Sequence, residues 1–178
     1  MVIDQIISGL SGYVDTYHWP DELHMMNRLA AQVTTGVIVA IGSYRGQMDC
    51  ALALNASVPV YAIDPRDPGP THTHYGDVDR FYWMSNVLEL GLAEKIRPIN
   101  LPSLDVVQVW SQDIGLLFID GDHDDAEDDL DHWLTWVLDG GLVAMHDINF
   151  ESVQEAVKRP DIVEIERADV TAVYRKVL

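Results

Sequence analysis

Residues 37–46 read Val-Ile-Val-Ala-Ile-Gly-Ser-Tyr-Arg-Gly. The first five residues are all apolar, which is the pattern of a strand that is buried on both faces of a sheet. The two glycines that follow, Gly42 and Gly46, are typical of a tight turn from a strand into a helix. This stretch therefore predicts the first strand and the first turn of a parallel α/β sheet.

The rest of the chain repeats this alternation. Further apolar runs cover residues 58–63, 96–99, 114–119 and 142–145, and helix-length segments cover 46–56, 77–91, 103–111, 124–138 and 150–158. Two last strands, 162–166 and 170–177, are separated by a link too short for a crossover helix, so they should pair as an antiparallel hairpin. The pattern predicts a doubly wound, Rossmann-like α/β fold with a seven-stranded, mostly parallel sheet, an antiparallel C-terminal hairpin and helices on both faces.

Length and composition indicate one domain. The chain has 178 residues, 48% of them hydrophobic, and a single cysteine, Cys50. We expect a helical cap over residues 1–35, with a helix starting at Trp19-Pro20, and an α/β core over residues 36–178. This composition excludes a disordered acidic tail and a disulfide scaffold.

The charge bears on partners and location. There are 29 acidic against 11 basic side chains, and the formal net charge is −18. Such a surface repels polyanions, so we do not expect nucleic acid as a partner. Apolar runs are too short to span a bilayer and the first residues lack the basic region of a secretory signal, so we expect no membrane and a cytoplasmic location.

Ionisable side chains follow four of the predicted strands. In an open α/β sheet, ligands bind beyond the carboxyl ends of the strands. Asp64 ends the second strand, 22 residues after Gly42, where a carboxylate can accept hydrogen bonds from the ribose hydroxyls of a nucleoside. The alternatives are that Asp64 only caps a helix or turn, and that Gly42 and Gly46 serve only the turn.

Residues 120–131 resemble a calcium-binding loop only superficially. Its position 6 needs glycine but is Asp125, and a buried strand precedes it where a helix should stand. We interpret most of these carboxylates as a solvated face at the start of a helix, where the helix dipole favours negative charge. The residues of that predicted face are Asp124, Asp125, Asp128 and Asp129.

Three side chains at strand ends favour a reaction centre. Asp120 and Asp147 follow neighbouring strands, and two converging carboxylates can bind a divalent cation, with magnesium expected. We include His146, next to Asp147, among the predicted metal ligands. His123 can accept a proton from a substrate hydroxyl, so the predicted catalytic residues are His123 and Asp120. The alternative is that His123 and Asp147 only cap helices.

A long loop follows the second strand. It is rich in proline and glycine and contains His72 and His74. Such a loop beside a site favours a substrate lid, whereas a two-histidine metal site would lack further ligands nearby.

The motifs resemble a known family. Residues 37–46 resemble the first motif of class I S-adenosylmethionine (SAM)-dependent methyltransferases. Phe-Ile-Asp-Gly-Asp-His at 118–123 and Leu-Asp-Gly-Gly-Leu-Val-Ala-Met-His-Asp at 138–147 resemble the macrocin O-methyltransferase and cephalosporin-hydroxylase-like branch, methyltransferase domain 24. The likeness covers about residues 35 to 150.

The resemblance implies a function and a site. It implies SAM-dependent O-methylation of a small hydroxylated acceptor with a divalent cation, and a homo-oligomer is possible. The turn at Gly42 would hold the methionine part of SAM, Asp64 the ribose, and the loop at 100–103 would lie near the adenine. The implied cofactor-binding residues are Gly42, Ser43, Tyr44, Gly46, Asp64, Ser103 and Asp120.

One position departs from the family pattern. The family often has an acidic residue before Ile-Gly-Ser, but Ala40 stands there. A non-catalytic SAM- or nucleotide-binding domain therefore stays an alternative. A nucleotide-dependent oxidoreductase is a weaker one, because the Gly-x-Gly-x-x-Gly fingerprint is missing.

Overall fold

A computed structural model of the chain describes residues 18–65 and 77–177. Within these residues, one sheet contains seven strands in the order β3-β2-β1-β4-β5-β7-β6. The strands are β1 (Val37–Ile41), β2 (Val60–Ile63), β3 (Ile96–Ile99), β4 (Ile114–Ile119), β5 (Val137–Met145), β6 (Ile162–Ala168) and β7 (Thr171–Lys176). The helices are α1 (Pro20–Ala30), α2 (Gln47–Asn55), α3 (Asp77–Glu89), α4 (Ser103–Val107), α5 (Ala126–Trp133) and α6 (Glu151–Ala156).

The topology confirms the predicted fold class. Strands β1 to β5 pair in parallel, and β7 pairs antiparallel with both β5 and β6. The hairpin predicted from the short final link is thus present. The strand order reverses beside β1, between β2 on one side and β4 on the other, which is where ligands bind in open α/β sheets.

Apolar residues of β1 face both sides of the sheet, because successive side chains of a strand point to opposite faces. Ile38 and Ala40 pack in the same cluster as α1, α2 and α3. Val39 and Ile41 pack in a second cluster with α4, α5 and α6. Burial on both faces explains the uninterrupted apolar sequence of this strand.

The region before β5 differs from the prediction. The sequence pattern predicts a helix over residues 124–138, but α5 ends at Trp133, a 3-10 turn covers Leu134–Trp136, and β5 begins at Val137. Ile114 pairs with Val137 whereas Leu116 pairs with Leu142, so the residues between them bulge out of the ladder. Gly140, with φ +77°, allows this bulge.

The start of β2 also differs from the prediction. The strand begins at Val60 rather than at residue 58. Pro59 has no N–H to donate to a neighbouring strand, although its carbonyl oxygen still accepts from the Ile38 amide at 3.0 Å.

Some predictions fall outside the described residues. These are the first half of the helical cap, residues 1–17, and the loop with His72 and His74; α1 accounts for the second helix of that cap. None of the helices in the described part of the chain combines the length and the apolar character needed to cross a membrane.

Candidate active site

Backbone hydrogen bonds align four strand ends along one edge of the sheet. The amides of Gly42 and Asp64 donate to the last carbonyls of β2 and β3, and those of Asp120 and His146 donate to the last carbonyls of β1 and β4. These N···O distances are 3.0, 3.1, 2.9 and 3.0 Å in that order. The loops that contain the residues singled out by the sequence therefore all begin at the same edge of the sheet.

Gly42 is required by the close approach of two of these loops. A Cβ atom at this position would lie 1.9 Å from the carbonyl oxygen of Asp120, and its φ is +82°. Both observations exclude a side chain. The glycine turn and the loop that begins at Asp120 are thus in direct backbone contact.

Asp64 holds the glycine turn in shape. Its Oδ2 accepts hydrogen bonds from the amides of Ser43, at 2.8 Å, and Tyr44, at 3.0 Å. Tyr44 has φ +43°, which is unfavourable for a bulky side chain. The paired hydrogen bonds to a carboxylate offset that strain.

Ser43 has a buried hydroxyl with no visible role in holding the fold. The residue is 6% exposed, and its Oγ has no hydrogen-bond partner among residues 18–65 and 77–177. A buried polar atom without a partner is costly, so it indicates a place for a polar ligand atom.

Ser103 lies at the start of α4, and its hydroxyl donates to Oδ1 of Asp129. The prediction that Asp129 belongs to a solvated face is wrong, because this residue is 2% exposed. It lies on the inner side of α5, where its Oδ2 would be 3.4 Å from a Cβ atom added at Gly121. Burial raises the pKa of Asp129 to about 6, although the hydrogen bond from Ser103 acts in the opposite direction.

Two histidines flank Asp120. His146 Nδ1 lies 3.0 Å from Oδ1 of Asp120, and His18 Nε2 lies 3.1 Å from Oδ2. Neither ring nitrogen has the alignment of a hydrogen bond to this carboxylate or to any other group in the described residues. The two imidazole rings also contact each other, with centroids 4.5 Å apart.

His123 and Asp147 form a neighbouring pair. His123 Nε2 and Asp147 Oδ2 are hydrogen-bonded at 2.7 Å. The imidazole stacks on the ring of Phe150, with centroids 4.2 Å apart and planes inclined by 19°. The His123 side chain keeps 35% of its surface exposed, so a substrate can reach it.

Glu22 contacts the cluster from helix α1. It is fully buried on α1, and its Oε1 accepts from the Val170 amide at 3.1 Å and the Thr171 hydroxyl at 2.9 Å. The same oxygen lies 3.6 Å from His146 Nε2. Glu22 therefore connects α1, the end of β5 and the hairpin.

The pKa values of the cluster reflect these ion-pair contacts. Burial raises the pKa of Asp120, but the adjacent His146 and His18 outweigh it and hold the pKa well below its usual range. Burial lowers the pKa of His146, but Asp120, Asp147 and Glu22 outweigh that effect and raise it. The metal-free cluster therefore keeps its carboxylates charged and His146 protonated.

The structure brings together most of the residues expected from the sequence. Side-chain contacts join Asp120, His123, His146 and Asp147 in one cluster, and backbone contact joins that cluster to the glycine turn held by Asp64. Sequence reasoning missed His18 and Glu22. The only signal at Glu22 is its place in the first turn of α1, where its Oε2 accepts from the Trp19 amide at 2.8 Å, which is common for an ordinary cap.

The donor atoms form two possible metal sites in the described residues. One group comprises His18, Asp120 and His146, and the other comprises Asp120, His123 and Asp147. Within each group the ligand atoms lie within 4.8 Å of one another. The buried Nδ1 of His146, which has no hydrogen-bond partner in the described residues, fits a bound ion.

Comparison with protein families defines the class of this protein. The model of a family of methyltransferase domains matches residues 39–148, which is more than half of the chain. The chain therefore belongs to this methyltransferase family. The prediction of a class I SAM-dependent methyltransferase of this branch is confirmed, as is the fold. No functionally curated protein matches the chain significantly.

Solved structures with the same fold include known methyltransferases. The O-methyltransferase TomG from Streptomyces achromogenes, in complex with SAM, has a TM-score of 0.74 at 13% identity, covering 97% of this chain and 90% of that one. An O-methyltransferase from Bacillus cereus, in complex with S-adenosylhomocysteine (SAH), has a TM-score of 0.73 at 13% identity, covering 99% of this chain and 90% of that one. Cofactor-bound Rv0187 from MTB has a TM-score of 0.75 at 14% identity, covering 98% and 88%.

Proposed function

We propose that this protein transfers the methyl group of SAM to a hydroxyl of a small acceptor, with assistance from a divalent cation. The observation on which this rests is the backbone contact between Gly42 and Asp120. It joins the turn expected to hold the cofactor to the acid–histidine cluster, so a methyl donor and an acceptor hydroxyl bound at these two places would be neighbours.

The cofactor half of the site supports SAM binding. The Ser43 hydroxyl is buried and has no partner in the described residues, and the turn around it is held by two hydrogen bonds to Asp64. Gly42, Ser43, Tyr44, Gly46 and Asp64 would bind SAM on this side. Ser103 is the less direct candidate, because its hydroxyl already donates to Asp129.

The acceptor half of the site supports proton removal. SAM supplies a methyl group already activated on a sulfonium, so the protein mainly has to align the acceptor oxygen and take its proton. When His123 donates its Nε2 proton to Asp147, the lone pair on its Nδ1 is available to accept the proton of the acceptor hydroxyl. Asp147 fixes the ring orientation and stabilises the imidazolium that forms.

Asp120, His146 and Asp147 would hold the divalent cation. His146 Nδ1 lies 3.0 Å from Asp120 Oδ1 and 3.3 Å from Asp147 Oδ2, so the three donors converge. A bound cation would polarise the acceptor hydroxyl and lower its pKa. Asp120 is both the central ligand and the residue in contact with the cofactor turn.

A binding domain without catalysis is the competing function. Ala40 favours it, because this residue is fully buried and offers no polar atom to the cofactor. An oxidoreductase has no such support.

A methyl-transfer assay distinguishes the two functions. The purified protein is incubated with SAM, a divalent cation and separate acceptors, namely catechol, phenol and methyl glucoside, and the S-adenosylhomocysteine formed is quantified. We expect acceptor-dependent product, formed roughly 100-fold more slowly by His123→Ala. Tight SAM binding with no product from any of these or further hydroxylated acceptors would favour the binding domain.

A further inference from the structure

We propose that His18, Asp120 and His146 form a two-histidine, one-carboxylate centre that binds a borderline transition ion such as Zn²⁺ or Fe²⁺ in preference to Mg²⁺. This inference rests on the proposed function and deepens it, because it names the ion class of the same site and replaces Asp147 with His18 among the ligands. His18 lies outside the matched methyltransferase region, residues 39–148.

The distances fit a shared ion. Two ligand atoms that are each about 2.1 Å from one ion lie roughly 3 to 3.5 Å apart. His146 Nδ1 and His18 Nε2 lie 3.0 and 3.1 Å from the two oxygens of Asp120. These ion-pair contacts lack the alignment of hydrogen bonds, and their spacing fits three ligands arranged around a common ion.

The far nitrogen of each ring faces an acceptor. His18 Nδ1 lies 3.3 Å from Oε1 of Gln47, and His146 Nε2 lies 3.6 Å from Oε1 of Glu22. An acceptor on that side favours the tautomer with its proton there and the lone pair on the opposite nitrogen. In the metal-bound cluster, where the cation takes the place of the proton on His146 Nδ1, both lone pairs would be directed toward the ion beside Asp120.

Burial makes it energetically unfavourable to leave these nitrogens without a ligand. The His146 side chain is 2% exposed and that of His18 is 10% exposed. Neither His18 Nε2 nor His146 Nδ1 has a hydrogen-bond partner in residues 18–65 and 77–177. Glu22 lies 3.6 Å behind His146 Nε2, on the side where metal-binding histidines commonly have a carboxylate.

The donor types select the ion. Mg²⁺ prefers an octahedron of oxygen atoms, most of them from water and carboxylates, whereas imidazole suits Zn²⁺, Fe²⁺ and Ni²⁺. Two imidazoles and one carboxylate therefore disfavour the magnesium that the carboxylates alone suggested. This assignment leaves His123 and Asp147 as a pair for proton transfer.

The test is metal binding by the whole chain without SAM. Untagged protein is stripped with a chelator and titrated calorimetrically with Zn²⁺, Co²⁺ or Mg²⁺ alone. We expect one Zn²⁺ or Co²⁺ per chain, bound at least 100-fold more tightly than Mg²⁺. The absorption spectrum of bound Co²⁺ reports independently whether nitrogen ligands are present.

Two variants and one control locate the site. His18→Ala should weaken Zn²⁺ binding at least tenfold and change the Co²⁺ spectrum, while His132→Ala, which changes an exposed histidine on α5, should leave both unchanged. Glu22→Gln should weaken Zn²⁺ binding roughly 10- to 100-fold through the orientation of His146. Circular dichroism checks that each variant is folded. If His18→Ala does not fold, His18→Gln is tested in its place.

The inference is overturned if Zn²⁺ binds no more tightly than Mg²⁺, if no ion binds, or if folded His18 variants bind Zn²⁺ like the wild type. Its failure is distinct from that of the proposed function, since metal binding is measured without SAM. Selective Zn²⁺ binding by a protein that never binds SAM would preserve this inference and reject the methyltransferase mechanism.

Discussion

Asp64 matters at the scale of single residues because one of its oxygens organises the whole glycine turn. Replacement by alanine removes both hydrogen bonds, from Ser43 and Tyr44, and leaves Tyr44 at an unfavourable φ of +43°. We expect Asp64→Ala to weaken SAM binding at least tenfold by calorimetry, with little loss of turnover at saturating SAM. Unchanged affinity would show that this carboxylate does not form the cofactor site.

His123 should affect the chemical step instead. Its hydrogen bond with Asp147 orients the ring, and general-base catalysis contributes typically 100-fold or more. We expect His123→Ala to lower the rate of S-adenosylhomocysteine formation by roughly 100-fold while SAM affinity changes less than about twofold. The exposed His132→Ala serves as control. A loss of SAM affinity as large as the loss of rate in His123→Ala would contradict the assignment of His123 to the chemical step.

Asp129 gives the protein a predictable pH dependence. Burial raises its folded-state pKa to about 6, above its unfolded value, so the folded state binds the extra proton between about pH 4 and 6. Its contribution to stability therefore increases as the pH falls through this range, and is lost as the pH rises through 6.

Replacement by asparagine isolates this effect. Asp129→Asn keeps an oxygen for the Ser103 hydroxyl but cannot ionise. We expect the variant to be more stable than the wild type at pH 8, by on the order of 2 kcal/mol, with the difference vanishing near pH 4. Urea unfolding at several pH values measures it, and a difference independent of pH would contradict the raised pKa.

At the scale of elements, the turn between β1 and α2 depends on contact with the turn after β4. Gly42 and Gly140 have similar φ angles, +82° and +77°. A Cβ atom added at Gly42 would meet the Asp120 carbonyl, whereas one added at Gly140 would have no neighbour within 4 Å among the described residues. We expect Gly42→Ala to destabilise the protein by about 3 kcal/mol or more, against about 1 kcal/mol for Gly140→Ala.

Urea unfolding of both variants separates the two costs. Since φ strain is common to both, the difference between them measures the steric contact with Asp120. Similar destabilisation by the two substitutions would show that the loops do not approach each other as described.

The elements that sequence predicts well are those with local signals. The run Val37–Ile41 is apolar throughout because both of its faces are buried, and the short link before β7 leaves only a hairpin. The bulge after Val137 has no such signal, because it depends on the register with β4 and not on the apolar pattern. Asp129 likewise has no local signal of burial, because its hydrogen-bond partner, Ser103, lies 26 residues away in sequence.

At the scale of the whole molecule, the site is assembled from distant segments. Strand ends could be predicted from sequence because parallel strands all present their carboxyl ends at one edge. His18 and Glu22 could not, because their partners lie far along the chain; the Glu22–Thr171 contact spans 149 residues. The structure therefore places the predicted strand-end residues together, and it adds two residues from the segment that precedes β1.

The central claim is that the glycine turn binds SAM. Calorimetric titration of the purified chain with SAM and S-adenosylhomocysteine, with and without divalent cation, tests it most directly. We expect one site per chain with micromolar affinity, weakened in Asp64→Ala. A folded protein that binds neither ligand under either condition would contradict the claim.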